Sequence, residues 1–158
     1  MNSDDDNDRS AQIKQIQNTP ATIATLIAGL PAAELRRREA DEFSALETVC
    51  HLRDLEIEGY ASRVQRLLSE TDPELPDFDG ARVAAERNYN AQSLGAALQA
   101  FQSARDTNVK RFDGLTEEEW GRSGTLQGVG RVTMADLVGM MAEHDRGHLE
   151  ELRILLRR

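Results

Sequence analysis

Apolar side chains recur every three or four residues in four long segments of the chain, which is the spacing of a helix that buries one face. These segments run from Ile13 to Leu30, from Ser44 to about Glu70, from Ser93 to Gly114, and from Thr133 almost to the C-terminus. Each such stripe must be buried against another element. The pattern therefore predicts an all-α fold, a four-helix bundle.

Polar and glycine-rich stretches mark where these helices start and stop. Ser44 and Glu47 have the spacing of a capping box, in which a hydroxyl and a carboxylate satisfy first-turn amides. The segment from Thr71 to Gly80 holds two of the four prolines and predicts a long connection between the second and third helices. Thr19-Pro20 permits either two successive helices or one kinked helix, and Gly121 to Arg131 permits a small hairpin.

The length and charge of the chain limit what it can do. Its 158 residues suit one domain, predicted over residues 11–158, whereas the acidic residues 1–10 carry almost nothing apolar and are expected to be a disordered tail. A formal charge of −9 would repel a phosphate backbone, so no nucleic-acid partner is expected. The single cysteine, the lack of a signal-peptide pattern and apolar runs of only a few residues predict a cytoplasmic protein with no membrane span.

Two of the three histidines lie four residues apart in the last predicted helix. His144 and His148 are separated by about 40° around the helix axis and by one turn along it, so both rings can face one metal ion. They share an apolar stripe with Leu137 and Met141, which predicts that they face the bundle interior and stay neutral. Neutral imidazole is the form that binds metals.

The third histidine, His51, lies in the second predicted helix. On a helical wheel Glu47, Leu55 and Glu58 fall near it and Asp54 slightly further, while most apolar residues cluster opposite. The projection therefore places His51 on an acidic cleft wall and not in the core. Together the two helices supply three ligands, the number typical of a catalytic metal site with an open coordination position. The alternative is that the histidines simply pack or hydrogen-bond inside the core.

Four carboxylates are candidates for a catalytic or supporting role. Glu47, Asp54 and Glu58 would line the same cleft as a base or an additional ligand, or else be surface charges. Asp145 would orient a ligand histidine or a bound water, or else be a solvated charge. Cys50 adjoins a histidine, but neighbouring helical residues point about 100° apart, so Cys50 is predicted to be buried packing.

The order and spacing of these features resemble the DinB family of DinB/YfiT-like four-helix bundles. The resemblance rests on the Thr19-Pro20 helix, the segment from Ser44 to Asp54, and the His144-Asp145-x-x-His148-Leu motif, and it covers the chain from about residue 10 to the end. It implies an up-up-down-down bundle that forms homodimers. It also implies that His51, His144 and His148 hold a divalent transition metal, with zinc or nickel favoured and iron or manganese as alternatives.

The family resemblance implies an enzyme without identifying its reaction. Some relatives resemble transferases or isomerases in which the metal lowers the pKa of a low-molecular-weight thiol, and others are expected to be hydrolases that use water. The chain is accordingly expected to act on a small-molecule substrate as a thiol-dependent S-transferase or as a metal-dependent hydrolase. The alternative is a metal- or ligand-binding bundle without catalysis that serves in a stress response.

Overall fold

Four long helical segments form the body of the protein, and the computed structural model describes them within residues 3–157. The second of these segments is α-helical at both ends and π-helical in the middle, over Leu55–Tyr60. A single turn of 3-10 helix, Tyr89–Ala91, precedes the third. In chain order the α-helices are α1 (Ser3–Ile27), α2 (Ala32–Arg36), α3 (Ala45–Asp54), α4 (Ala61–Ser69), α5 (Gly80–Arg87), α6 (Leu94–Asp113), α7 (Glu117–Trp120) and α8 (Met134–Leu156).

The start of α1 corrects the prediction of a disordered tail over residues 1–10. The helix begins at Ser3, and the first two residues of that predicted tail lie outside the described residues. Three aspartates in the first turn complement the helix dipole. Arg9 adds tertiary contacts, because its guanidinium lies 3.1 Å from Glu117 and 4.5 Å from the centre of the Trp120 ring. These contacts link the acidic end of α1 to α7.

The first helix is continuous through Pro20, so the structure has one helix where the sequence also permitted two. Ser44 starts the second helical segment as predicted. Its hydroxyl accepts a hydrogen bond from the Glu47 amide at 3.1 Å, and the Glu47 carboxylate accepts one from the Ser44 amide at 3.0 Å. Ser93 and Thr133 cap α6 and α8 in the same way, through their hydroxyls.

A small sheet packs beside the helices. Strands β1 (Glu74–Leu75), β2 (Ser123–Leu126) and β3 (Gly130–Thr133) lie in that order. β2 and β3 form the hairpin that the sequence permitted, whereas β1 is an addition inside the predicted loop and pairs in parallel with β2. Gly124 allows this pairing, since a Cβ atom there would lie 2.6 Å from the Pro73 carbonyl oxygen. The sheet thereby holds the long connection between the second and third helical segments against the bundle.

The bundle interior contains a buried ionic network as well as apolar side chains. Arg105 of α6 is 1% exposed and donates hydrogen bonds to Glu56 at 2.9 Å and to Asp145 at 2.6 and 3.0 Å. It also donates to the Ile16 carbonyl oxygen at 2.7 Å. One guanidinium therefore joins α1, the π-helical segment, α6 and α8.

The helices described within residues 3–157 include no candidate membrane-spanning segment.

Candidate metal centre

The structure brings the three histidines together from α3 and α8. The Nε2 atoms of His144 and His148 are 3.2 Å apart, and one ring nitrogen from each of the three histidines lies within 4.8 Å of the other two. The His51 ring centre is 5.6 Å from that of His144 and 5.1 Å from that of His148. Residues separated by more than ninety positions therefore form one compact cluster of nitrogen donors.

The surroundings of His51 correct the prediction that it lies on an acidic cleft wall. His51 is buried, at 8% exposure, and packs against the rings of Phe43 at 5.4 Å and Phe78 at 6.3 Å. Both aromatic residues come from connections outside the helix, so a wheel drawn from that helix alone could not include them. The π-helical segment makes the helical wheel wrong for a second reason, because it changes the angle per residue after Asp54.

Gly80 packs directly against the His51 ring. A Cβ atom on Gly80 would lie 2.7 Å from His51 Cε1 and 2.9 Å from Nδ1, far inside van der Waals contact. Gly80 is the first residue of α5, so backbone atoms at the end of the long connection pack against the edge of the imidazole. Only glycine leaves room for the ring at that position.

A carboxylate lies beside His148. Glu151 Oε2 lies 2.9 Å from His148 Nδ1, although the angle does not meet hydrogen-bond geometry. Glu151 is exposed and lies three residues after His148 on α8. A carboxylate at Nδ1 favours the tautomer that leaves Nε2 free to bind a metal. Glu151 is not among the residues predicted from the sequence, although its spacing of three residues from His148 was a signal for such a role.

Burial keeps the imidazoles of His51 and His144 neutral. It lowers the pKa of His51 to about 3, and repulsion from His148 and His144 adds to the effect. Burial likewise lowers the pKa of His144 to about 4, with further contributions from His148, Arg105 and Arg63. Both rings are therefore unprotonated at neutral pH, which is the state required of a ligand.

The cluster has the donor chemistry of a transition-metal site. Within the described part of the chain, the Nδ1 atoms of all three histidines are buried and have no hydrogen-bond partner. Buried polar atoms are normally satisfied, and three convergent imidazoles are suitable ligands for zinc, nickel, iron or manganese. The residues present thus fit a divalent metal held by His51, His144 and His148.

Two of the four predicted carboxylates act at helix ends or on the surface. Glu47 is buried in the capping box of α3 and lies 2.8 Å from Arg38 Nε. Glu58 is exposed and accepts hydrogen bonds from Arg87 at 2.5 and 2.8 Å. Neither belongs to the group of ligand atoms formed by the histidines.

The other two carboxylates are buried and bonded to other groups. Asp54 accepts hydrogen bonds from Arg53 at 2.8 Å and from the Tyr89 hydroxyl at 2.6 Å. Asp145, one residue after His144, is fully buried between Arg105 and the Thr19 hydroxyl, which donates at 2.6 Å. Asp145 is therefore not the solvated charge that was one of the two alternatives.

Arg105 and its partner Glu56 are also absent from the residues predicted from the sequence. A signal was present, because Arg105 lies four residues from both Phe101 and Val109 and so falls within the apolar stripe of α6. A charged residue at such a position requires buried partners. The sequence contained no indication of which carboxylates they would be.

Comparison with known proteins shows the family of the chain. The sequence pattern of the DinB superfamily matches residues 15–152. A protein of Oceanobacillus iheyensis, named as a proposed metal-dependent hydrolase, is 23% identical over 145 residues, which cover 91% of this chain and 83% of that protein. YfiT from Bacillus subtilis, described as a proposed metal-dependent hydrolase with an unusual four-helix bundle topology, superposes with a TM-score of 0.89 at 17% identity, over 100% of this chain and 89% of its own. The chain belongs to the DinB superfamily.

Proposed function

We propose that this protein is a divalent-metal-dependent enzyme that activates a small nucleophile, water or a low-molecular-weight thiol, for attack on a small-molecule substrate. The observation that carries the proposal is the convergence of His51, His144 and His148. Three protein ligands leave at least one coordination position for a nucleophile or a substrate. A metal bound there would supply Lewis acidity and lower the pKa of the nucleophile.

The chain's own side chains prepare the ligands. Burial keeps the His51 and His144 rings neutral, so a metal does not have to displace a proton from them at neutral pH. Phe43 and Phe78 cover His51 with apolar surface, which limits the access of water to that ligand. Glu151 places a carboxylate oxygen 2.9 Å from His148 Nδ1.

The single cysteine of the chain does not supply the nucleophile. The only cysteine of the chain, Cys50, is fully buried on α3 beneath apolar neighbours, so its thiol cannot reach a substrate. The names of the relatives favour water as the nucleophile and hydrolysis as the reaction. A thiol-dependent S-transferase remains the second form of the same proposal.

Metal content tests the first step. Protein purified without added metal should contain about one equivalent of a divalent transition metal by elemental analysis, and His51→Ala and His144→Ala should each lose most of it. Glu58→Gln is a suitable control, because Glu58 is an exposed carboxylate paired with Arg87. Unchanged metal content in both histidine variants would refute the proposal.

Product analysis then separates the two nucleophiles. Metal-loaded protein is incubated with panels of esters and amides, and separately with alkyl halide or epoxide electrophiles in the presence of small thiols. Turnover without thiol supports hydrolysis, whereas turnover that requires one thiol supports S-transfer. The His144→Ala variant should be inactive in both assays.

A non-catalytic metal-binding protein is the second candidate function. One observation favours it: among residues 3–157, the four predicted carboxylates are all engaged in capping, hydrogen bonds or ion pairs away from the cluster. No such carboxylate is therefore placed as a general base. The cobalt-substituted protein distinguishes the two functions, because added azide would change the visible spectrum of an open site and leave a closed site unaffected.

A further inference from the structure

Arg63 is a buried cation without an anionic partner. It lies in the first turn of α4 and is 6% exposed, and within residues 3–157 it forms no hydrogen bond or ion pair. Its Nε atom is completely buried without a partner. Arg105 provides the comparison within the chain: it is 1% exposed and is bonded to two carboxylates and a carbonyl oxygen.

A guanidinium in this situation is energetically unfavourable. Transfer of a charge from water into the protein is costly unless the charge is paired and its donors are hydrogen-bonded. The Tyr60 ring, with its centre 5.4 Å from the Arg63 guanidinium carbon, provides a cation–π contact. An aromatic face cannot replace the oxygen atom that the buried Nε–H donor requires. Asp77 is the carboxylate whose charge acts on Arg63, but it is exposed and forms no ion pair with it.

Arg63 lies on the side of the bundle that faces the histidine cluster. It follows Gly59 by one helical turn, and the Gly59 backbone packs against Phe78, whose ring contacts His51. The connection that carries Asp77 and Phe78 therefore covers both the cation and the proposed metal ligands.

We propose that Arg63 is the anion-binding residue of this site and receives the carboxylate of a small organic-acid substrate beside the three histidines. A guanidinium matches a carboxylate in bidentate geometry. One unpaired positive charge matches one monoanion, whereas a phosphate dianion would leave negative charge buried. The assignment rests on the proposed function for the identity of the anion as substrate, but binding of the anion itself is measurable without metal.

An NMR titration tests the binding site directly. Metal-free protein labelled with 15N is titrated with acetate and, separately, with acetamide, which has nearly the same shape and no charge. The Arg63 Nε–H resonance, assigned by its loss in Arg63→Met, should shift with acetate and not with acetamide. Acetate affinity in Arg63→Met should fall at least about tenfold, as expected for loss of a charge-assisted hydrogen bond.

Two results would overturn this assignment. One is an unchanged Arg63 resonance at saturating acetate, or an acetate affinity in Arg63→Met equal to that of the wild type. The other is tighter binding of inorganic phosphate than of acetate at the same resonance, which would reject a carboxylate as the ligand.

Stability provides an independent measurement. Methionine keeps the aliphatic length of the side chain, so Arg63→Met removes an unpaired charge and should leave the urea midpoint of the ligand-free protein equal or higher. Arg105→Met is the matched control and should lower that midpoint strongly, because it leaves two buried carboxylates unpaired. An equal loss of stability in both variants would show that Arg63 has a structural role and would contradict the proposal.

The two proposals can fail separately. If His144→Ala loses its metal and still binds acetate through Arg63, the anion site stands on its own. If metal content is normal and the Arg63 resonance does not shift with acetate, the metal centre is supported and the anion site is rejected. Loss of metal dependence with acetate binding intact would reject only the proposed function.

Discussion

At the scale of single residues, the candidate site depends on atoms packed around the ligands as much as on the ligands themselves. The spacing of His144 and His148 could be read from the sequence because both lie on one helix. In the structure both rings lie close to His51. Gly80 could not be recognised, because its importance comes from a ring 29 positions earlier in the chain.

Gly80→Ala should weaken metal binding. The new methyl group would lie 2.7 Å from the His51 ring and would have to displace it, so we expect a loss of affinity of about tenfold or more, comparable with the loss of a group that orients a ligand. Isothermal titration of metal-free protein measures this. Gly147→Ala is the control: nothing lies within 4 Å of its Cβ position, and it should raise helix stability by up to about 1 kcal/mol with affinity unchanged.

Glu151→Gln should also weaken metal binding, because an amide orients the His148 ring less strongly than a carboxylate does. We expect a decrease in affinity of about tenfold, at the lower end of the range for such groups, because Glu151 is exposed to solvent. The neighbouring exposed Glu150→Gln should have no effect. Equal affinities for the two variants would contradict the role assigned to Glu151.

Cys50 should be almost unreactive in the folded protein. Burial raises the pKa of its thiol to about 11. At pH 8 its thiolate fraction, and hence its rate of alkylation by iodoacetamide, should be roughly two orders of magnitude below that of the urea-unfolded chain. Mass spectrometry of quenched samples measures both rates. A native rate close to the unfolded rate would mean that α3 opens readily.

At the scale of elements, the helix starts followed from local chemistry. Ser44, Ser93 and Thr133 were predicted as the first capping or boundary residues, and each accepts a hydrogen bond from an amide three residues later. The π-helical segment was not predicted, since no local signal distinguishes it from α-helix. It brings Glu56 to the buried Arg105, and this tertiary bond helps to stabilise it.

Asp54→Asn should loosen the contact between α3 and the turn that carries Tyr89. Burial raises the pKa of Asp54, but hydrogen bonds from Arg53 and Tyr89 outweigh it and leave the pKa below its usual value. As pH falls, the unfolded chain therefore takes up this proton first. The contribution of Asp54 to stability is complete above about pH 5 and is lost as pH falls through the lower folded pKa.

Urea unfolding at several pH values tests this dependence. At pH 7 the variant should be less stable than the wild type by about 1–3 kcal/mol, the range for a hydrogen bond to a charged group. The difference should shrink below about pH 4. Glu86→Gln, which alters an exposed pair with Arg82, should change stability by less than about 0.5 kcal/mol at any pH. A difference that persists unchanged at low pH would refute the assignment.

At the scale of the whole molecule, the buried network around Arg105 connects all four long helical segments. Arg105→Met leaves Glu56 and Asp145 buried without a cation. We expect the free energy of unfolding to fall by about 3–5 kcal/mol, as for other broken buried ion pairs. Urea denaturation measures the change, and a loss below about 1 kcal/mol would show that the network relaxes or admits water.

Some expectations about the whole molecule stay predictions. The mostly helical bundle is confirmed, whereas the up-up-down-down topology, the single domain over residues 11–158, the homodimer and the cytoplasmic location rest on the sequence and the family resemblance. The homodimer is measurable by light scattering, which would give twice the 17.6 kDa mass of the chain.

The sequence alone determined the features that depend on neighbours within one or two helical turns. Helix starts, the apolar stripes and the pairing of His144 with His148 are of this kind, because hydrogen bonds at helix ends and contacts between residues three or four apart are local. The tertiary structure decided which face His51 presents, which carboxylates pair with Arg105 and which buried arginine stays unpaired. These outcomes depend on the phase shift in the π-helical segment and on loops that return Phe78 and Gly80 to the bundle. Such contacts join residues far apart in the chain, so no local pattern encodes them.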